Sequence, residues 1–431
     1  MSVAESDKEK KKLGKVEEIV SNEPQDIEEE IRNKSFIMYD GSIKKLIELN
    51  EGDQLMGEFS EPVTITGIIS TYEKHYIVQP VKGERYIIAE SDNLQVAYSS
   101  SHSIMWNEKP QNYNTVWFDT DENRGRNKTF SVNNYGSKEL AYQAAEIYLS
   151  ELHVNSRFRI SVKNYNKLLS SNMRLIKTYR VPIEFEENNK LEFDPYVLGL
   201  WLGDGTARDP VITSIDKEII DYINEYFESY GMFVKQTHNT IAYRATHGKE
   251  GVGAQSSNMF INFLRDRNLQ NNKHIPNDFL FASRENRLQL LAGLLDTDGS
   301  LDSNGIYDFI QKRELLFDQT LFLARSLGFS AYKTKTLKQC TNSPTKAIGT
   351  YFRCAISGNG IEKIPTKISR KQATERKQIK DNLVSGITLT EIPQFLHGYL
   401  IMTDKSTFLM SDFTVRHSYI PPKITKFNII K

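Results

Sequence analysis

The sequence predicts an α+β protein in which a duplicated motif lies between β-rich stretches near the two ends of the chain. Three observations carry this. Short β-type runs broken by turn signals begin at Ser35: FIMYDGSIKKLIEL, VTITGIIST, HYIVQPV and RYIIA. An apolar segment closing on Asp-Gly occurs twice, as VLGLWLGDGT (197–206) and LLAGLLDTDGS (290–300). Each copy is followed by a strand-like stretch and then a helix closing on Gly231 or Gly328 before a new strand.

Residues 1–34 are rich in mixed charge and poor in large apolar side chains, so a flexible, solvated tail is expected, with a fraying helix through Val16–Ile31. Asp40-Gly41 is a hairpin signal inside the first β run, and further turns fall at Glu51-Gly52-Asp53 and Lys82-Gly83-Glu84. Residues 35–100 are therefore read as a compact β unit. Beyond it, YNTVWFD and KTFSVNNYG read as strands, and SKELAYQAAEIYLSEL as an amphipathic helix capped by Ser137. Arg157, Arg159, Lys163, Lys167, Arg174, Lys177 and Arg180 then follow with no acidic residue among them, interleaved with Phe158, Tyr165 and Tyr179. Such a strip suits phosphate contact. It equally suits a solvated loop balanced by Glu184, Glu186, Glu187, Glu192 and Asp194.

Composition narrows the function classes. The 431 residues carry 55 Lys+Arg against 55 Asp+Glu, so a histone-like or tail-driven nucleic-acid binder is excluded, while a basic face on a neutral protein is not. Cys340 and Cys354 are the only cysteines, too few for a disulfide scaffold or a Cys-rich zinc module. A mean hydropathy of −0.50 and the lack of any long apolar run argue against a membrane span. The N-terminal MSVAESDKEKKKLGK has no apolar core of a secretory signal, so an intracellular protein in a reducing compartment is expected.

The duplication is the informative feature. Gly199, Leu200, Asp204 and Gly205 match Gly293, Leu294, Asp298 and Gly299 at a constant offset of 94 residues. Gly199 and Gly203 lie four apart on one helix face, as do Gly293 and Thr297, a spacing that lets two helix backbones approach closely. If the two helices pair, Asp204 and Asp298 meet at their C-terminal ends. Two carboxylates held together repel unless a cation sits with them, which calls for a divalent metal.

The paired motifs resemble those of LAGLIDADG homing endonucleases in their two-motif, single-chain form, over roughly residues 193–380. The resemblance implies two pseudo-symmetric αββαββα halves (185–385) whose sheets form a DNA-binding saddle. It implies cleavage of double-stranded DNA by a monomer with Mg²⁺ as cofactor and Asp204 and Asp298 as metal ligands. It also implies a lysine near each metal-bound water. QNNKHIP supplies Lys273 for the first half; KIPTKISRK offers Lys367 for the second, with Lys371 as the alternative. Arg370 and Lys371 belong to a basic stretch, 363–380, expected to anchor phosphates together with the 157–180 strip.

The outer segments resemble the two pieces of a Hint splicing domain, 35–100 and 386–420, interrupted by the endonuclease as in inteins that carry one. Segment 101–184 then corresponds to their extra DNA-recognition region, and its strand-strand-helix order resembles an AP2-like module. Splicing chemistry is expected to be lost. The chain opens on its own Met rather than a Cys or Ser nucleophile, Asp92 stands where an assisting His is expected, and the terminal His-Asn pair reads His417-Ser418 before Tyr419. In a eukaryotic host the expected location is the nucleus.

Overall fold

The computed structural model describes residues 23–98, 104–119, 122, 124–151, 157–185, 191–238, 241–247, 258–339, 348–375 and 381–421. The chain divides into two compact units: the residues up to Arg180 together with those from Val384, and Val181–Leu383.

In the first unit, segments from opposite ends of the chain share one sheet. Its strands run in the order Arg157–Ser161, Asn93–Tyr98, Ile176–Tyr179, Val384–Thr403, Pro62–Pro80 and Gln54–Met56, with Tyr86–Ala89 also paired to Pro62–Pro80. The two longest strands pair antiparallel from Ile387↔Pro80 to Thr403↔Ile65, with a register shift between Glu391 and Phe395. VTITGIIST and HYIVQPV are thus one continuous strand, because the partner carries pairing through the polar Tyr72–Lys74 stretch between them. The Asp40-Gly41 hairpin forms as expected, pairing Ser35–Ile37 with Ile43–Lys45. Phe36, Leu55, Val63, Val78, Ile88, Val96, Ile176 and Met410 lie buried in a common core.

Two expectations are corrected here. Residues 24–32 form a helix whose Ile27 and Ile31, four apart on one face, are buried in that core. Its Glu30 accepts two hydrogen bonds from the Arg85 guanidinium at 2.9 and 2.7 Å. This part of the supposed tail is integral to the fold; residues 1–22 lie outside the described residues. The expected insertion at 101–184 also does not end where the sheet begins. Arg157–Ser161 pairs with Asn93–Tyr98, and Ile176–Tyr179 lies between Asn93–Tyr98 and Val384–Thr403. The run RFRIS alternates, with Phe158 and Ile160 buried and Arg157 and Arg159 exposed, as a one-sided strand requires.

Between these strands lies a smaller element. Ile104–Asn107, Asn112–Asp119 and Arg124–Ser131 form an antiparallel sheet, followed by the helix Lys138–Glu151. The Ser137 hydroxyl accepts the Leu140 N–H at 3.2 Å, the expected cap. Phe118 stacks on Phe158 with ring centroids 4.9 Å apart, tying this element to the main sheet.

The second unit is built on two helices, Pro195–Asp204 and Arg284–Asp298, each carrying one copy of the duplicated motif. Asp194 caps the first through the Val197 N–H at 2.9 Å, and Ser283 caps the second. A Cβ added to Gly199 would stand 2.5 Å from the Leu290 carbonyl oxygen and 2.9 Å from Gly293 Cα, so the helices touch backbone to backbone. One turn on, Gly203 faces the Thr297 side chain with no room for a methyl group. After the first helix, Gly205 bridges to Ile212, and a sheet runs in the order Val211–Thr213, Ala242–Thr246, Phe233–Gln236. After the second, the order is Gly299–Leu301, Tyr307–Gln311, Ile348–Ile356, Thr334–Gln339, with Gly299 opposite Phe309. The helices Lys217–Glu228 and Glu314–Ser326 follow the first strands of each set, and Gly231 and Gly328 take the left-handed conformation (φ 67° and 90°) just beyond them.

Candidate active site

Both motif aspartates are the last residues of their helices, where the backbone turns into the first strand of a sheet. The close glycine contacts force this convergence. With the two backbones in contact at Gly199 and Gly293, the C-terminal ends are held together and both carboxylates arrive at one place. Asp298 is half-buried and Asp204 is exposed. Asp298 Oδ2 accepts the Gln311 side-chain N–H at 2.7 Å, and Gln311 Oε1 in turn accepts the backbone N–H of Lys312 and Arg313 at 2.8 and 3.1 Å. Gln311 is therefore a fixed donor, and it was not among the residues the sequence pointed to.

The electrostatics are those of a crowded pair of acids. Burial, and then the neighbouring Asp204, push the Asp298 carboxyl up to about 7, against Lys273, Lys371 and Arg313. Desolvation moves Asp204 upward too, against Lys273 and Lys371. Burial pushes the Lys273 ammonium down to about 8, with Arg313 adding to this and Asp298 and Asp204 opposing it.

Lys273 is buried. Its Nζ donates to the carbonyl oxygens of Trp201, Leu202, Gly203 and Gly205 at 2.6, 3.2, 3.4 and 2.7 Å, and lies 4.8 Å from the centre of the Trp201 ring. These carbonyls close the last turn of the first motif helix, where a cation is also favoured by the helix dipole; Trp201 O additionally accepts the Gly205 N–H at 2.9 Å. The second helix has the same arrangement, and it is made by Lys371. Lys371 Nζ donates to Leu295 and Asp296 carbonyl oxygens at 3.0 and 2.7 Å. Burial moves Lys371 downward, with Asp296 the largest opposing influence. Lys367 is elsewhere: its Nζ lies 5.5 and 4.7 Å from the ring centres of Tyr196 and Tyr222. The geometry therefore corrects the choice of Lys367 as counterpart of Lys273 in favour of Lys371. A constant offset of 94 points from Lys273 to Lys367, but the second half carries four more residues between motif and lysine.

The predicted basic residues divide. Arg159, Lys163, Lys167 and Arg174 are exposed, and Lys177 is half-buried. Arg157 is engaged, donating to the buried Glu58 carboxylate at 2.7 Å and lying 4.6 Å from the Tyr179 ring centre. Arg370 forms a two-point ion pair with Asp216 at 2.5 and 3.0 Å. Arg376, Lys377 and Lys380 lie outside the described residues.

The site suits a divalent cation. Two carboxylates whose charged forms are disfavoured by burial, and for Asp298 also by Asp204, are hard oxygen donors of the kind Mg²⁺ and Mn²⁺ take. Among the described residues no group of three or more His, Cys, Asp or Glu side chains that could hold a metal converges. No described helix is long and apolar enough to cross a membrane.

No protein-family model matches the sequence. Over 135 residues, 31% of this chain, it is 36% identical to a replicative DNA helicase DnaB of Mycobacterium intracellulare. Over 165 residues, 32% of this chain, it is 28% identical to the homothallic switching endonuclease of Saccharomyces cerevisiae. These matches span 19% and 28% of the respective relatives' lengths. Among solved structures, mesophilic variants of the homing endonuclease I-DmoI align with TM-score 0.27 and 14% identity, over 41% of this chain and 93% of that one. I-DmoI in complex with DNA and Mn aligns with TM-score 0.27 and 16% identity, over 41% and 96%.

Proposed function

We propose that the chain is a sequence-specific homing endonuclease that makes Mg²⁺-dependent double-strand breaks in DNA at a long site, with two pseudo-symmetric halves each cutting one strand. The observation that carries this is the repeated constellation of one carboxylate at each helix end and one lysine on each set of end carbonyls. The partial similarity to the switching endonuclease supports the same reading. The helicase similarity does not favour nucleotide hydrolysis, because the sequence contains no G-x-x-x-x-G-K-S/T phosphate loop.

Asp204 and Asp298 would hold the divalent cation, which when bound supplies charge neutralisation at the scissile phosphate and a more acidic water. The protein's own groups do the rest. Gln311 keeps Asp298 from rotating away. Lys273 and Lys371 sit where each can hydrogen-bond a water or a phosphate oxygen by exchanging one carbonyl partner. Arg159, Lys163, Lys167 and Arg174 would add phosphate contacts that position without reading sequence.

The first unit is proposed to be a Hint-type domain without splicing activity. Ser418 has no side-chain amide to cyclise, and its hydroxyl accepts the Thr403 N–H at 2.9 Å. Asp92, where an assisting His would stand, is buried and ion-paired to Arg416 at 2.7 Å.

The rival reading is a protein of this fold that binds nucleic acid without cutting. Retention of both carboxylates with their lysines disfavours it. Incubating the protein and Mg²⁺ with a randomised DNA library and sequencing the cut ends tests the proposal. A defined long site with breaks in both strands is expected; intact DNA under conditions of measurable binding would establish the rival.

A further inference from the structure

We infer that Lys273 and Lys371 are seated by two different positioning residues, Gln319 and Asp296, so that the two strand cuts can be uncoupled without touching either motif carboxylate. This rests on the endonuclease reading above.

The clue is a mismatch between the motif copies. Asp296 occupies the position that Leu202 holds in the first helix, and both side chains are almost wholly buried. Leucine shows that helix packing does not need a polar group there, and burying a carboxylate costs stability unless it is bonded. Asp296 Oδ1 has no hydrogen-bond partner, which adds to that cost. Oδ2, by contrast, accepts the Tyr196 hydroxyl at 2.7 Å and the Lys367 backbone N–H at 2.6 Å. The second of these bonds fixes the start of the segment that ends at Lys371. Its far end is held by the Tyr307 hydroxyl, which donates to the Lys371 carbonyl at 2.6 Å. Lys371 then returns its ammonium to the carbonyl of Asp296 itself at 2.7 Å. One residue thus takes the segment by its side chain and the lysine by its main chain.

The first half has no such carboxylate, and it solves the same problem from another direction. Gln319, on the helix Glu314–Ser326, accepts the Ile275 N–H at 2.7 Å and donates to the Ile275 carbonyl at 3.0 Å. This two-point amide clamp holds the chain two residues beyond Lys273. Lys273 and Lys371 share the carbonyls three and two residues before the motif aspartate and differ in what holds their segments.

The test uses the full chain and an end-labelled duplex carrying its cut site, with Mg²⁺, following each strand separately in single turnover. Misplacing a group at a reacting centre by about 1 Å can cost about a hundredfold in rate. Asp296→Ala should slow one strand at least about tenfold and accumulate nicked product. Gln319→Leu should slow the opposite strand. Asp296→Asn, which keeps an acceptor for the Lys367 N–H, should recover most of the loss. If Asp296→Ala does not fold, Tyr307→Phe should slow the strand assigned to Asp296. Equal slowing of both strands, or the same strand slowed by Asp296→Ala and Gln319→Leu, would overturn the inference while wild-type cutting upholds the endonuclease reading. A wild-type protein that cuts neither strand would remove both.

Discussion

Lys371 meets the second motif helix as Lys273 meets the first: each ammonium is held by the carbonyl oxygens three and two residues before the motif aspartate. A buried or half-buried lysine has to satisfy its ammonium, and a helix C-terminus is the nearest source of unpaired carbonyls.

From this, Lys273→Ala and Lys371→Ala should each slow cutting by about 10²–10⁴-fold, the range for loss of one acid–base or electrostatic partner. Lys367→Ala should stay within about threefold of wild type, because it removes a cation over two tyrosine rings and leaves its backbone N–H in place. Single-turnover rates on a cut-site duplex decide this. A silent Lys371→Ala beside a damaging Lys367→Ala would reverse the assignment.

Asp204→Asn or Asp298→Asn should abolish double-strand cutting while DNA affinity in Ca²⁺ is kept or improved. Each change removes a charge that would hold metal and leaves the sheet faces as they are. Gel-shift titrations beside cleavage assays measure the two separately. Loss of binding at equal thermal stability would count against these carboxylates as metal ligands.

The same substitution carries a stability prediction. The Asp298 carboxyl is raised to about 7 in the fold against an ordinary value of 3.8. Its contribution is therefore fully present at pH below about 4, where both states are protonated, and is lost as pH rises toward 7, because the unfolded chain ionises first. In EDTA, Asp298→Asn should be more stable than wild type at pH 8 by on the order of 1–4 kcal/mol, with the gap closing toward pH 4. Urea midpoints at several pH values test this. A variant less stable than wild type at pH 8 would show that the carboxylate is not strained.

The motif helices were legible because their signal is local: small residues four apart and an Asp-Gly stop need only one helix to be read. The corresponding lysine was not: KIPTKISRK offers two, and only the fold shows that Lys371, four residues farther from its motif than Lys273 is from the first, meets the helix end. Gln311 and Gln319 left no trace in the sequence, because a single polar residue acquires meaning only from a partner brought to it by the fold; Asp296 stands out against Leu202 in the aligned motifs, but its partners do not. Arg157–Ser161 did carry a period-two pattern, but its charge suited phosphate contact and a solvated loop equally, and masked the sheet strand. The helix Pro24–Arg32 overlaps the expected Val16–Ile31 helix, but its acidic face suggested a solvated tail, and its packing rests on Ile27 and Ile31 alone.

The exposed members of the basic strip should govern salt dependence. Replacing Arg159, Lys163, Lys167 and Arg174 together by Gln should lower the slope of log K against log[salt] by about two to three units, at about 0.9 for each phosphate no longer neutralised. Arg157→Gln should instead cost stability, about 1–3 kcal/mol, because it leaves the Glu58 carboxylate buried without its cation. An unchanged slope in the fourfold variant would mean that this strip does not meet DNA.

Truncation after Thr390 tests how the first unit holds together. The removed residues include Phe395–Thr403, which pair with Lys74 back to Ile65, and Phe408 and Met410, which lie in the core. Without them the strand Pro62–Pro80 loses its partner over most of its length, and an unpaired strand exposes both its backbone and its apolar face. The N-terminal segments Ser35–Ile37 and Gln54–Met56 depend on that strand and on the buried C-terminal residues, so the loss should spread to the whole unit. Val181–Leu383 has its own core and both motif helices, and it keeps all of its sequence in the truncated chain. Hydrogen exchange should therefore show protection lost across residues 23–98 and retained in Pro195–Asp204 and Arg284–Asp298. Retained protection in Pro62–Pro80 would show that the strand finds enough partners without the C-terminal segment, and exchange of the motif helices would show that the second unit cannot stand without the first.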